Sequence, residues 1–179
     1  MNRNLLIPAC VFALAFAGCG RHSANVDGAG NVDPGNADAG SDATPSFNLR
    51  LTGVDPGDYV SARMRIQAVR VEGGGAVLAD SVQTPEVELT DVGNSFLLAS
   101  FRPPAGVEDV DFTVSFEGGV VATRSASFDV NTRCQALRLS GRVSRISERK
   151  HAVIHLDLAR SFVASGAAMM MVPHYQLVY

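Results

Sequence analysis

Every even position from Val110 to Phe116 is apolar and every odd position from Asp111 to Glu117 is polar. A side-chain period of two belongs to an extended strand, whose successive residues point to opposite faces. The segment predicts a strand with one face on a core and the other in water. The same alternation runs through Phe47, Leu49 and Leu51, and through Val87 and Leu89 set between Glu86, Glu88 and Thr90. A chain patterned this way must bury sheet faces against one another.

Between Tyr59 and Glu72 the pattern is more particular. Ala62, Met64 and Ile66 share one phase, and Val69 and Val71 take over in the opposite phase, so the alternation slips by one near Ala68. A β-bulge keeps both halves facing the core across such a slip. Gly73-Gly74-Gly75 then supplies a turn, and Ala76-Val77-Leu78 returns as a short strand, which makes a hairpin. Further strands are expected at 127–130, 137–143, 152–158 and 175–179, with turns at Gly118-Gly119 and around Arg149-Lys150. No helix of any length is expected, and only one helical turn at 95–100. Many short strands separated by turn signals predict an all-β fold, a single antiparallel β-sandwich over residues 47–179.

The chain ahead of this domain has a different composition. Residues 20–46 are mostly Gly, Asn, Ala, Asp and Ser, too poor in bulky apolar groups to offset the entropy of ordering. They predict a flexible tether whose ends average roughly 30 Å apart. Asp27, Asp33, Asp38 and Asp42 do not fall at the alternating positions of an EF-hand loop, whose Gly and terminal Glu are also missing. A formal net charge of −3 with 18% charged residues indicates neither a nucleic-acid partner nor a polybasic membrane contact.

At the front, Leu5 to Ala17 is almost wholly apolar, follows a single positive charge at Arg3, and ends in small residues. This run is too short to span a bilayer, which takes roughly 20 apolar residues. Ala17-Gly18-Cys19 resembles the lipobox of bacterial lipoproteins, with Phe16 where Leu is usual. The resemblance implies a signal peptide over residues 1–18, acylation of Cys19, and a lipidated tether over 19–46. It also implies a protein held to the cell envelope by its N-terminal lipid, at the outer membrane because Gly20 replaces the Asp that retains lipoproteins at the inner one. Ala15-Phe16-Ala17 also fits an A-x-A cleavage site, the less favoured alternative, which would release a soluble secreted chain beginning at Gly18. Cys10 leaves with the signal and Cys19 is taken by lipid, so Cys134 has no partner for an internal disulfide and reads as a small buried hydrophobe.

Several stretches of the domain then fall in a recognisable order. They are Leu49-Arg50-Leu51-Thr52-Gly53-Val54-Asp55-Pro56-Gly57-Asp58, Val87-Glu88-Leu89-Thr90-Asp91-Val92, Pro104-Ala105-Gly106, Leu137-Arg138-Leu139-Ser140-Gly141 and Leu156-Asp157-Leu158-Ala159-Arg160-Ser161-Phe162-Val163. This set resembles the bacterial secreted and lipoprotein family called domain of unknown function 4382. The resemblance implies a β-sandwich outside the cell and carries no established activity. Gly53 departs from the family, which often has Asp after Leu-Thr, so any turn or ligand site shaped by that Asp is in doubt here.

Few residues suggest chemistry. His155 and Asp157 share the polar face of one strand with His151, and two imidazoles with a carboxylate can bind zinc or copper. His151 lies about 13 Å from His155 in extended chain, so a site on His155 and Asp157 needs help from a neighbouring strand, and a solvated strand face is the favoured reading of the pattern. Arg138 and Arg142 share another outward face, followed by Arg145 and Arg149, suited to carboxylates or acidic sugars or simply to cross-strand pairing with Asp and Glu. Met169-Met170-Met171 would alternate along a strand, which favours packing over soft-metal binding. No nucleophile elbow, P-loop or dinucleotide fingerprint is present. The sequence therefore predicts a non-catalytic module without a cofactor, which meets an envelope protein or, alternatively, binds a glycan or metal.

Overall fold

Alternation is realised as twelve strands in two sheets among the residues that the computed structural model describes, which are 45–132 and 135–179. In chain order these are β1 (Phe47–Val54), β2 (Tyr59–Gly73), β3 (Ala76–Ala79), β4 (Glu86–Glu88), β5 (Phe96–Phe101), β6 (Asp109–Thr123), β7 (Ser127–Asn131), β8 (Ala136–Arg142), β9 (His151–Asp157), β10 (Phe162–Ser165), β11 (Ala168–Met171) and β12 (Tyr175–Val178). Two short helices join strands: α1 (Val143–Arg149) precedes β9 and α2 (Leu158–Ser161) follows it. The described residues form one compact unit. The signal-like segment, Cys19, the tether up to residue 44 and Cys134 lie outside the described residues.

The smaller sheet has the order β12-β9-β1-β5. The larger runs β10-β11-β7-β6-β2-β3, with β4 also paired to β2 and β8 also paired to β6. Their facing sides bury one core. Phe47 and Phe101 from the smaller sheet and Phe112 from the larger form an edge-to-face ladder, with centroids 6.0 and 5.5 Å apart. Val110, Phe112, Val114 and Phe116 all point inward, as their alternation requires.

The sandwich is not purely antiparallel. β9 runs parallel to β1, and β11 parallel to β7. The first of these follows from α1, which carries the chain from β8 in the larger sheet across one end of the sandwich into the smaller one. β9 therefore starts at the same end as β1, with the Asn48 amide donating to the Lys150 carbonyl at 3.2 Å.

The expected slip in β2 is a double irregularity. Arg65 faces Gly118, Ile66 faces Phe116 and Ala68 faces Ser115, so Gln67 and Glu117 are each skipped in the ladder. Ile66 and Val69 both stay in the core while Gln67 and Ala68 are exposed. The hairpin after β2 turns on Gly74 and Gly75, whose φ values of 60° and 79° suit the two central residues of a type I′ turn.

Three sequence expectations are corrected. Gly118-Gly119 is no turn, because β6 continues through it to Thr123. A Cβ on Gly119 would sit 2.5 Å from Met64 Sδ and would overlap the Arg63 carbonyl oxygen, so this glycine admits the neighbouring β2 strand. The 95–100 segment is strand β5, paired along β1, and not a helical turn. The region before His151 is the helix α1, which buries Ile146 and ends at Lys150 with φ 66° and its amide bonded to the Ile146 carbonyl at 2.7 Å.

Both open sides of the sandwich are stitched by hydrogen bonds. On one, the Tyr175 hydroxyl donates to the Arg138 carbonyl at 3.1 Å, and the Tyr179 hydroxyl accepts from the Arg142 amide at 3.3 Å. On the other, the Gln83 amide donates to the Leu98 carbonyl at 3.0 Å and the Thr84 hydroxyl to the Leu97 carbonyl at 2.7 Å. These contacts occupy backbone groups of β8 and β5 that a foreign strand would otherwise find free.

Candidate functional site

β9 sends Ala152, Ile154 and Leu156 fully into the core, which leaves His155 and Asp157 on the outer face of the smaller sheet. There they line a surface cleft of about 270 Å³ with Arg160, His174, Gln176 and Val54. The neighbouring strand required by the sequence argument is β12: Gln176 lies opposite His155, and the Asp157 amide donates to the His174 carbonyl at 2.9 Å. Arg160 and His174 were not legible as partners in the sequence, because one sits on α2 and the other in the connection before β12. His151 stands at the far end of β9, outside the cleft.

Asp157 already has a structural task. Its carboxylate caps α2 by accepting from the Arg160 amide at 3.0 Å, and the Arg160 Nε lies 4.0 Å from its second oxygen. Among the described residues no three His, Cys, Asp or Glu side chains converge closely enough to hold a metal ion. The cleft thus offers imidazoles, a guanidinium and an amide as hydrogen-bond groups for a small polar molecule.

Arg138 and Arg142 do share the outer face of β8. They line separate surface depressions, Arg138 with Glu72 and Asp111, Arg142 with Glu108 and Asp109. Arg142 is directly opposite Asp109 in the β6–β8 ladder, an arrangement expected of cross-strand charge pairing. Met171 is fully buried and Met169 packs against the core, so the Met run alternates as a strand.

One polar centre escaped the sequence reading. The Glu88 carboxylate accepts from the Ser61 hydroxyl at 2.6 Å, the Ala62 amide at 2.7 Å, and the Thr90 hydroxyl and amide at 2.8 and 3.3 Å. Burial pushes its pKa up, yet the hydrogen bonds from Ser61, Ala62 and Thr90 outweigh this and hold it below the ordinary value. Below that ordinary value the unfolded chain takes up a proton before the folded one does. The stabilisation is therefore complete above about pH 5 and is lost as pH falls through the lowered folded pKa. Glu88→Gln is expected to cost about 1–2 kcal/mol at pH 7, with the gap to wild type narrowing toward pH 3 in urea unfolding. A gap that does not change with pH would show that the charge is not what the four donors hold.

Gly53 marks a close approach of two backbones. A Cβ there would overlap the Leu89 carbonyl oxygen and lie 2.8 Å from the Leu89 carbonyl carbon. No Asp fits at this position in this fold. No known family model, curated protein or solved structure matches the chain. The likeness to domain of unknown function 4382 rests on its ordered residue pattern alone.

Proposed function

We propose that this chain is an envelope lipoprotein, anchored through acylated Cys19, whose β-sandwich serves as a non-catalytic scaffolding or protein-interaction module. The observation that carries the reading is how the polar groups are used. Every buried side-chain nitrogen and oxygen among the described residues has a hydrogen-bond partner, and the groups gathered on the surface, such as Glu88 and Asp157, hold strands and caps together. A domain built this way presents surfaces rather than an interior site. The resemblance to domain of unknown function 4382 adds an extracellular placement to the same reading.

Cells grown with a fatty-acid analogue test the anchor. Wild type is expected to take up label and stay with the outer membrane, whereas Cys19→Ser loses both. Several acyl chains at about 0.8 kcal/mol per buried methylene make that retention nearly complete. An unlabelled soluble wild type that starts at Gly18 would overturn the lipoprotein reading in favour of a secreted binding protein.

A further inference from the structure

We propose that β10 is the strand by which two copies of this chain join, antiparallel about a twofold axis at Ala164, so that the larger sheet continues from one molecule into the next. The pairing rests on the interaction reading above and deepens it by naming the partner; it does not need the lipid anchor. The other outer strands are covered or guarded. Gln83 and Thr84 lie along β5, and Tyr175 ties β12 to β8. β4 carries Glu86 and Glu88, and β3 runs into Asp80. Covering segments and charges of this kind are what keep sheet edges from joining.

β10 has neither among the described residues. It ends the larger sheet and pairs only with β11. Val163, Ala164 and Ser165 are all exposed, as is the Gly166-Ala167 turn beyond them. From Ser161 to Pro173 the chain holds no charged residue. The ladder fixes which backbone groups face outward. The Val172 amide donates to the Ser161 carbonyl at 2.8 Å, and bonded pairs alternate with non-bonded ones in an antiparallel ladder. Val163 with Met170 and Ser165 with Ala168 are therefore bonded pairs, and Ala164, opposite Met169, turns its amide and carbonyl to the open side.

A second copy suits this edge because the edge is complementary to itself. With the axis at Ala164, each Ala164 amide donates to the other copy's Ala164 carbonyl, as an isologous contact requires. Val163 then faces the partner's Ser165, and no charge is set against a like charge. Arg160, the charged residue that precedes β10, falls beyond the partner's Gly166-Ala167 turn. A charged foreign strand would find no opposite charge here to meet it. The facing stretch is short, well under the roughly 1,200 Å² of a standard interface, so free chains associate weakly. A shared tethering surface would raise their effective concentration.

Cross-linking tests the pairing in the full chain with Cys10, Cys19 and Cys134 replaced by Ser, where no lipid is involved. Bonded residues that face each other have Cα atoms about 5.5 Å apart, within disulfide reach. Under mild oxidation at high protein concentration, Ala164→Cys is expected to form covalent dimers about tenfold faster than Ser125→Cys, an exposed position in the β6–β7 turn. Val163→Cys mixed with Ser165→Cys should cross-link faster than either alone. Equal rates for Ala164→Cys and Ser125→Cys overturn the pairing. Ala164→Pro removes the outward amide and spares the ladder to β11, so it should weaken the dimer about tenfold in sedimentation equilibrium with Tm nearly unchanged. A dimer of unchanged affinity in this variant overturns the edge as its site. In cells, a photo-cross-linking amino acid at position 164 should give an adduct of twice the chain mass. Adducts of other masses alone overturn self-pairing and leave the interaction module standing with a foreign strand on β10.

Discussion

Phe112→Ala lowers the unfolding free energy by about 3–5 kcal/mol, the largest loss expected from any single truncation in this core. Phe112 is 1% exposed and joins the two sheets. Its ring packs edge-on against Phe101 at 5.5 Å, and Phe101 packs in turn against Phe47 at the start of the domain. Its Cε2 also lies 3.0 Å from where a Gly141 Cβ would stand, so the ring covers the glycine of the adjacent strand. Removing it takes away apolar burial and opens a cavity between backbones that a continuous ladder holds in register on both sides, from β2 through β6 to β8. In a domain of this length the loss corresponds to a fall in Tm on the order of 10 °C. Thr113→Ala, one residue along on the outer face, should change stability by no more than about 0.5 kcal/mol. Equal effects from the two substitutions, in urea or thermal unfolding, would show that Phe112 does not face the core.

Much of this architecture is written in single-residue periodicity. Val110–Phe116 and Phe47–Leu51 each point the way their alternation says, because a strand with one dry face has only one register that buries its apolar set. Even the bulge in β2 is visible, since a phase slip between two apolar runs has few other physical meanings. Connectivity is different in kind. Nothing local announces that β9 will lie parallel to β1, because that depends on α1 crossing one end of the sandwich, and α1 has only one inward residue, Ile146. β5 was missed for the opposite reason: Phe96-Leu97-Leu98-Ala99 is a continuous apolar run, which periodicity cannot assign to either helix or strand.

The surface sites divide along the same line. His155 and Asp157 are legible as neighbours on one strand face, while Arg160 and His174 join them only through α2 and the connection into β12. Glu88 looked like one more outward charge, and its four donors come from Ser61 and Ala62 on β2 and from Thr90 beyond β4.

Glycine shows the same limit most sharply, and it yields the second large effect: Gly53→Ala should destabilise the domain by about 3 kcal/mol or more, at or above the upper end of ordinary overpacking. Gly53 is buried in β1 where the chain leaving β4 passes over it. The added methyl would overlap the Leu89 carbonyl oxygen and stand 3.0 Å from the Leu89 Cβ. Backbone is the obstacle, so no rotamer change relieves the clash. Leu89 cannot retreat without cost either, because its side chain is fully buried and its amide donates to the Ala62 carbonyl at 2.9 Å. Relief would have to come from parting β1 from the β4 segment, which also disturbs the bond from the Thr52 hydroxyl to the Asn94 carbonyl at 2.8 Å. Gly119→Ala meets a comparable obstacle at Arg63 and Met64, and a loss of similar size is expected. Gly93→Ala serves as the control, since its nearest neighbour would be a side-chain oxygen of Asp91 at 3.5 Å. Urea midpoints for the three variants decide the matter: Gly53→Ala no less stable than Gly93→Ala would mean that β1 and the β4 segment do not approach as closely as this packing requires.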